Sequence, residues 1–234
     1  MRDKDTKAAT ELQNKNYLCK VSVFLILPAI INMSKKTVFY IIFFSVLIVS
    51  FYFAMGKIIP GFTKSKLPPI STLQPFAFIN QDGKIVTEKD VAGKVFVAEY
   101  FFTTCKGICP KMNNNKRRVY EKFKDKEGFL ILSHTCDPGT DSTATLKHYS
   151  DSMNVNTAKW IFLTGRKDSL YNMARNSYKI DDPANNLKSI DEDFLHTQFF
   201  ALVDKNGDIR KIYDGIKPSE VDLMMTDIEK LLGE

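Results

Sequence analysis

Cys105 and Cys109 stand four residues apart in Phe102-Thr-Thr-Cys-Lys-Gly-Ile-Cys-Pro110. They lie between a β-rich run and a polar stretch with helical spacing. Sulfurs at i and i+4 face the same way when the residues between them form a helical turn. A helix N-terminus also lowers a thiol pKa, favouring the thiolate that binds metal or attacks a disulfide. Pro110 is acceptable there, because the first helical N–H groups have no partner within the helix. Two chemistries fit: soft-metal ligation and dithiol–disulfide exchange. The plain competing account is two unrelated buried cysteines, which an exported domain disfavours because free thiols there are liabilities.

Cys136, between Thr135 and Asp137, reads as a small buried side chain in preference to a third sulfur at the site. His196 follows a long polar loop and precedes the apolar run Phe199–Val203, and sites in α/β sheets are built at such strand ends. His134, close to Cys136, could approach the site or serve as a loop hydrogen-bonding group; His148, beside Lys147, reads as solvated. Two thiolates with one imidazole suit copper, as Cu(I) or Cu(II), and are tolerable to zinc. At this point a dithiol redox pair without His196 stays open.

These groups need strands to carry them. Val95–Phe102 is β-rich without clear alternation, as expected of a central strand covered on both faces. Gly128–Ser133 reads as a second core strand, His134–Gly139 as a loop, and Trp160–Leu163 as a short third strand. Apolar spacing predicts helices over Lys111–Lys126, around Leu146, Tyr149 and Met153 with Asp141 or Ser142 as the cap, over Asp168–Tyr178, and over Pro218–Leu232. Hairpins are expected around Asn80–Gly83 and around the Asn-Gly of Asp204–Gly207. Asp181–Asp193, polar and carrying Pro183, reads as a loop. The order of elements predicts an α/β sandwich around a mixed sheet.

The chain has 234 residues, enough for one ordinary domain with appendages and too few for two full ones. Its net charge is +6, but residues 1–56 carry seven basic and three acidic side chains, leaving only +2 on the remainder. Nucleic acid is therefore not an expected partner of the folded part. Four cysteines are too few for a disulfide scaffold. Val38–Met55 is uncharged and free of Pro and Gly, just long enough to span a bilayer as a retained anchor. Lys35 and Lys36 on its N-terminal side predict a cytoplasmic segment 1–37, a transmembrane anchor 38–55, a Pro-rich linker 56–75 and an exported domain 76–234. Met33-Ser-Lys-Lys before the apolar run reads as a start of translation, with 1–32 then outside the native protein. Intact mass would test that expectation.

The chain resembles the Sco/SenC copper chaperones. The resemblance rests on Gly93–Met112 with its Cys-x-x-x-Cys-Pro, on Ser133–Thr143 with Asp137-Pro138 and Asp141, on Trp160-Ile-Phe-Leu-Thr-Gly165, and on Asp193–Arg210 around His196. It implies a thioredoxin-like three-layer sandwich with an N-terminal hairpin, preceded by a single transmembrane helix. It also implies copper held by Cys105, Cys109 and His196. Asp137 is expected to orient a ligand, and the His134-Thr-Cys136 stretch, a departure from the family's pattern, leaves an accessory role open to His134 or Cys136. The implied partner is a cytochrome c oxidase copper-binding subunit, with another copper chaperone or a thiol reductant upstream. The implied location is the bacterial inner membrane, single-pass, with the domain in the periplasm or outside. A metallochaperone is the expected class. The enzymatic alternative is a thiol–disulfide oxidoreductase working through Cys105 and Cys109, and a redox sensor or scaffold is a further rival.

Overall fold

The computed structural model describes residues 34–58, 68–182, 193–195 and 197–234. The chain divides into two compact units, Met1–Lys66 and Leu67–Glu234. In the first, helix α1 runs Lys35–Ile58, and its Lys35–Ala54 stretch is long and apolar enough to cross a membrane. The helix extends beyond the apolar run at both ends; at its start Lys35 and Lys36 are good helix formers that need not be buried. The proposed start at Met33 and residues 59–67 of the linker lie outside the described residues.

The second unit holds strands β1 (Ser71–Thr72), β2 (Ala77–Asn80), β3 (Ile85–Thr87), β4 (Val95–Phe101), β5 (Phe129–Thr135), β6 (Trp160–Thr164), β7 (Phe199–Val203) and β8 (Asp208–Asp214). Its helices are α2 (Glu88–Val91), α3 (Cys109–Phe123), α4 (Thr143–Ser152), α5 (Lys167–Asn172) and α6 (Pro218–Leu232). The sheet order is β1-β8-β7-β4-β5-β6-β2-β3. β4, β5 and β6 are parallel, and the remaining pairings are antiparallel. The hairpins fall where the turn residues place them, with Gly83 at φ 75° and Gly207 at φ 82°, a region that costs glycine nothing.

Every residue of β4 and β5 is buried, as expected of strands covered on both sides. One face packs Phe96, Ala98, Tyr100, Leu132 and Leu163 against the α5 region. The other packs Val97, Phe101, Ile131 and Phe162 against Met112, Val119 and Phe123 of α3 and Met224 and Ile228 of α6. The result is a three-layer α/β sandwich. Gly165 closes the third strand's motif because a Cβ there would meet the Phe78 ring at 2.9 Å.

Three local readings change. The end of the expected linker belongs to the sheet. Ser71 and Thr72 pair with Ile209 and Asp208, and the Gln74 N–H donates to Ser177 Oγ at 2.9 Å. Strand β5 continues through His134 and Thr135 where a loop is expected, since both are in register with Tyr100 and Phe101 of β4. The helix expected over Asp168–Tyr178 changes to π-helical spacing at Met173–Ser177.

Candidate metal and dithiol centre

β4 ends at Phe101, and the next seven residues carry the chain into α3, whose first residue is Cys109. Ile108, at the N-cap position, offers no side-chain oxygen to the helix start. Cys105 feels that start: the Cys109 side chain and the backbone N–H groups of Cys109, Gly107 and Ile108 favour its thiolate. Burial pushes the Cys105 thiol up, and these donors together outweigh it, leaving its pKa below the ordinary thiol value.

Cys109 behaves oppositely. Burial, then the hydrogen bond it gives to Cys105, then the negative charge of Glu99 push it up to about 12. Cys105 is partly exposed and Cys109 is buried. The pair therefore presents one accessible sulfur with thiolate character, backed by a protonated one.

Beneath Cys109 lies a buried ion pair that the sequence reading passes over. Lys116 of α3 donates to Glu99 of β4, and both are essentially inaccessible. The Lys116 ammonium also sits 5.1 Å from the centre of the Trp160 ring and 5.6 Å from that of Phe101. The Trp160 indole N–H donates to Ser133 Oγ at 2.9 Å. Glu99 appears as one acidic letter inside the apolar run, which is the only signal the sequence offers for it.

Asp141, read as a helix cap, is instead fully buried and ties two strand ends together. It accepts from the Thr103 backbone N–H and hydroxyl, and from the Thr135 hydroxyl. Ser142 caps α4, accepting from the Thr145 N–H. Asp137, expected to orient a ligand, contributes its backbone: its N–H donates to Thr135 Oγ1 and its carbonyl accepts from Thr140 and Asp141.

His134 is not at the dithiol. Its ring is fully buried on the opposite sheet face, stacked on Tyr100 at 5.0 Å between centroids and set edge-on to Phe78 and Tyr178. Burial drops its pKa to about 3, and the backbone carbonyls of Glu99 and Leu132 only partly oppose this. That packing corrects the accessory role offered to it. Cys136 is buried, as preferred from sequence. It donates through Sγ to the Phe101 carbonyl at 3.2 Å, and burial raises its pKa. His148 is exposed. Among the described residues no three His, Cys, Asp or Glu side chains come together to hold a metal ion.

His196 lies outside the described residues, but its flanks do not. The Leu195 N–H donates to Tyr171 Oη at 3.1 Å, and Thr197 Oγ1 donates to the Ile180 carbonyl at 2.7 Å. The Phe194 ring stands edge-on to Phe102, 5.2 Å between centroids. In the antiparallel register, with Ala98 opposite Ala201, the chain enters β7 at the edge where β4 ends.

The model of the SCO1/SenC family matches residues 65–233. The chain belongs to the SCO1/SenC family. The SCO1 protein homolog of Bacillus subtilis is 30% identical over 161 residues, which are 67% of this chain and 81% of that protein. Among solved structures, BsSco is described as a member of the Sco family of cytochrome c oxidase assembly proteins with a disulfide switch. It superposes with a TM-score of 0.59 at 28% identity, over 71% of this chain and 96% of that one. ScoI of Arabidopsis thaliana, solved with copper bound, superposes with a TM-score of 0.55 at 26% identity, over 68% of this chain and 99% of that one. The sandwich is thus the thioredoxin-like fold of the Sco structures, with the strand-and-hairpin entry of β1 to β3 at its N-terminal end.

Proposed function

We propose that this chain is a membrane-anchored copper-binding chaperone that delivers copper to, or prepares the copper site of, a cytochrome c oxidase subunit. Cys105, Cys109 and His196 are the proposed ligands. The observation that carries this reading is the Cys105–Cys109 pair, one sulfur partly exposed and one buried, at the sheet edge to which the flanks of residue 196 also return. Relatives solved with copper bound, in Arabidopsis thaliana and in yeast, support the choice of metal.

Two thiolates and one imidazole form a soft set that serves both copper oxidation states. Loading requires both thiols to lose their protons, so binding is coupled to pH. Cys105, already inclined to the thiolate, engages first, and Cys109 follows as the metal's charge replaces its proton. Oxidation of the pair to a disulfide removes both sulfur donors, which makes redox state a gate on loading. Helix α1 would anchor the chain in a bacterial inner membrane with the domain in the periplasm or outside. The basic residues Lys35 and Lys36 at its start favour that orientation.

A second reading, a thiol–disulfide oxidoreductase, is favoured by one observation: an accessible low-pKa sulfur backed by a buried high-pKa one is the arrangement of an attacking and a resolving thiol. The two separate in one experiment. The reduced full chain in detergent is loaded with copper, then mixed with the soluble copper-binding domain of an oxidase subunit. One copper per chain, transferred on mixing and lost in Cys105→Ala, is expected. Copper content and spectrum unchanged in His196→Ala, together with turnover of a protein disulfide, would replace the chaperone reading with the reductase.

A further inference from the structure

Three stretches of chain meet at the site edge: the end of β4, the end of β5 and the entry to β7. One side chain joins them. The Tyr171 hydroxyl of α5 donates to the Cys136 carbonyl at 2.7 Å and accepts from the Leu195 N–H at 3.1 Å. From Cys136, the thiol and the backbone N–H both reach the Phe101 carbonyl, at 3.2 and 2.8 Å. The ring of Phe102 meets Phe194, one residue before Leu195. The contacts form a closed circuit from the dithiol loop through Cys136 and Tyr171 to Leu195 and back.

The circuit is held from outside as well. Arg175, buried, grips Asp193 with two guanidinium nitrogens at 2.7 and 3.1 Å and Asp181 with a third at 2.7 Å. It also lies 5.5 Å from the Tyr171 ring centre, with Lys167 at 5.4 Å. Tyr171 is itself 1% exposed, so its hydroxyl has no water to turn to and both its hydrogen bonds count.

We propose that Tyr171 is a positioning residue that sets the β7-entry segment against the dithiol loop, and so fixes the geometry in which copper is held. The inference rests on the proposed ligation by His196, the residue after Leu195. Nothing in the sequence marks Tyr171 for this, because its spacing reads as an ordinary core position of a helix.

A double-mutant cycle with copper as the probe tests it. Cu(I) retention by the reduced full chain in detergent is measured against a competing chelator for wild type, Tyr171→Phe, His196→Ala and the double variant. Tyr171→Phe keeps the ring and removes both hydrogen bonds. It is expected to weaken retention about tenfold, the equivalent of one buried hydrogen bond, in wild type. The same substitution is expected to change nothing in the His196→Ala background. An equal loss in both backgrounds would reduce Tyr171 to a structural residue and overturn the proposal. So would a weakened His196→Ala beside an unaffected Tyr171→Phe. His196→Ala without effect would instead overturn the ligand reading, and the proposal with it. Hydrogen exchange gives a check that needs no variant: the Leu195 amide is expected to be protected in wild type, and free exchange there would contradict the circuit.

Discussion

Glu99 and Tyr100 are neighbours on β4, and Ser133 and His134 are neighbours on β5, yet they build opposite environments. On the α3 side, Glu99 and Lys116 form a charged pair under the dithiol, with Ser133 and Trp160 completing the network. On the α5 side, Tyr100, His134, Phe78 and Tyr178 form a neutral aromatic cluster. Burial is the same on both faces. Within these two strands the charge is kept next to the sulfurs; the buried ion pairs of the other side, Arg175 with Asp193 and Asp181, lie off the strands. A buried charge is tolerable only with a partner, and this pair lies on the face that carries Cys109. On the other face, burial holds His134 neutral. Burial alone therefore does not mark a site, whereas buried charge beside a nucleophile does.

Removing one member of the pair should have the largest effect. Lys116→Met leaves Glu99 charged and alone, and is expected to cost about 3–5 kcal/mol, read as a melting temperature lowered by roughly 10 °C. A change within 2 °C or so would mean that the pair is not held as described.

The neutral face gives the next effect, through pH. His134 is held at about 3 when folded and returns to the ordinary histidine value when unfolded. Between those values the unfolded chain binds the extra proton. The contribution is complete above about pH 6.5 and is lost as pH falls toward 3, at up to about 1.4 kcal/mol per pH unit. Denaturant titrations at pH 7 and 4.5 should show wild type losing about 2–3 kcal/mol more than His134→Phe. Equal losses would place the imidazole in contact with water.

The smallest expected effect contrasts directly with the first. Tyr100→Phe removes the hydroxyl that donates to the Leu170 carbonyl at 2.6 Å, and should cost about 1 kcal/mol. A cost as large as that of Lys116→Met would erase the distinction between the faces.

How far the sequence showed this follows from residue patterns. Val95–Phe101 announces a two-sided strand by its unbroken β-formers, and Asn206-Gly207 announces its hairpin. The Cys-x-x-x-Cys spacing shows the dithiol outright. Ser133-His-Thr135 does not look like strand, because three polar letters conceal three inward-facing side chains whose partners lie on other elements. Ser71–Thr72 is a strand only through its pairing with β8, a contact 136 residues away at Thr72 and Asp208. Glu99 and Lys116 are each legible as charges, but their pairing depends on α3 crossing β4. Asp141 looks like the cap it stands beside, and only its contacts with Thr103 and Thr135 reveal its real role.

The central claim is that two sulfurs and one imidazole hold copper. X-ray absorption on the copper-loaded full chain, compared with His196→Ala, tests it most directly. The account predicts two sulfur donors and one nitrogen donor in wild type, with the nitrogen lost in the variant and both sulfurs retained. A third sulfur, or a nitrogen donor that survives His196→Ala, would contradict it.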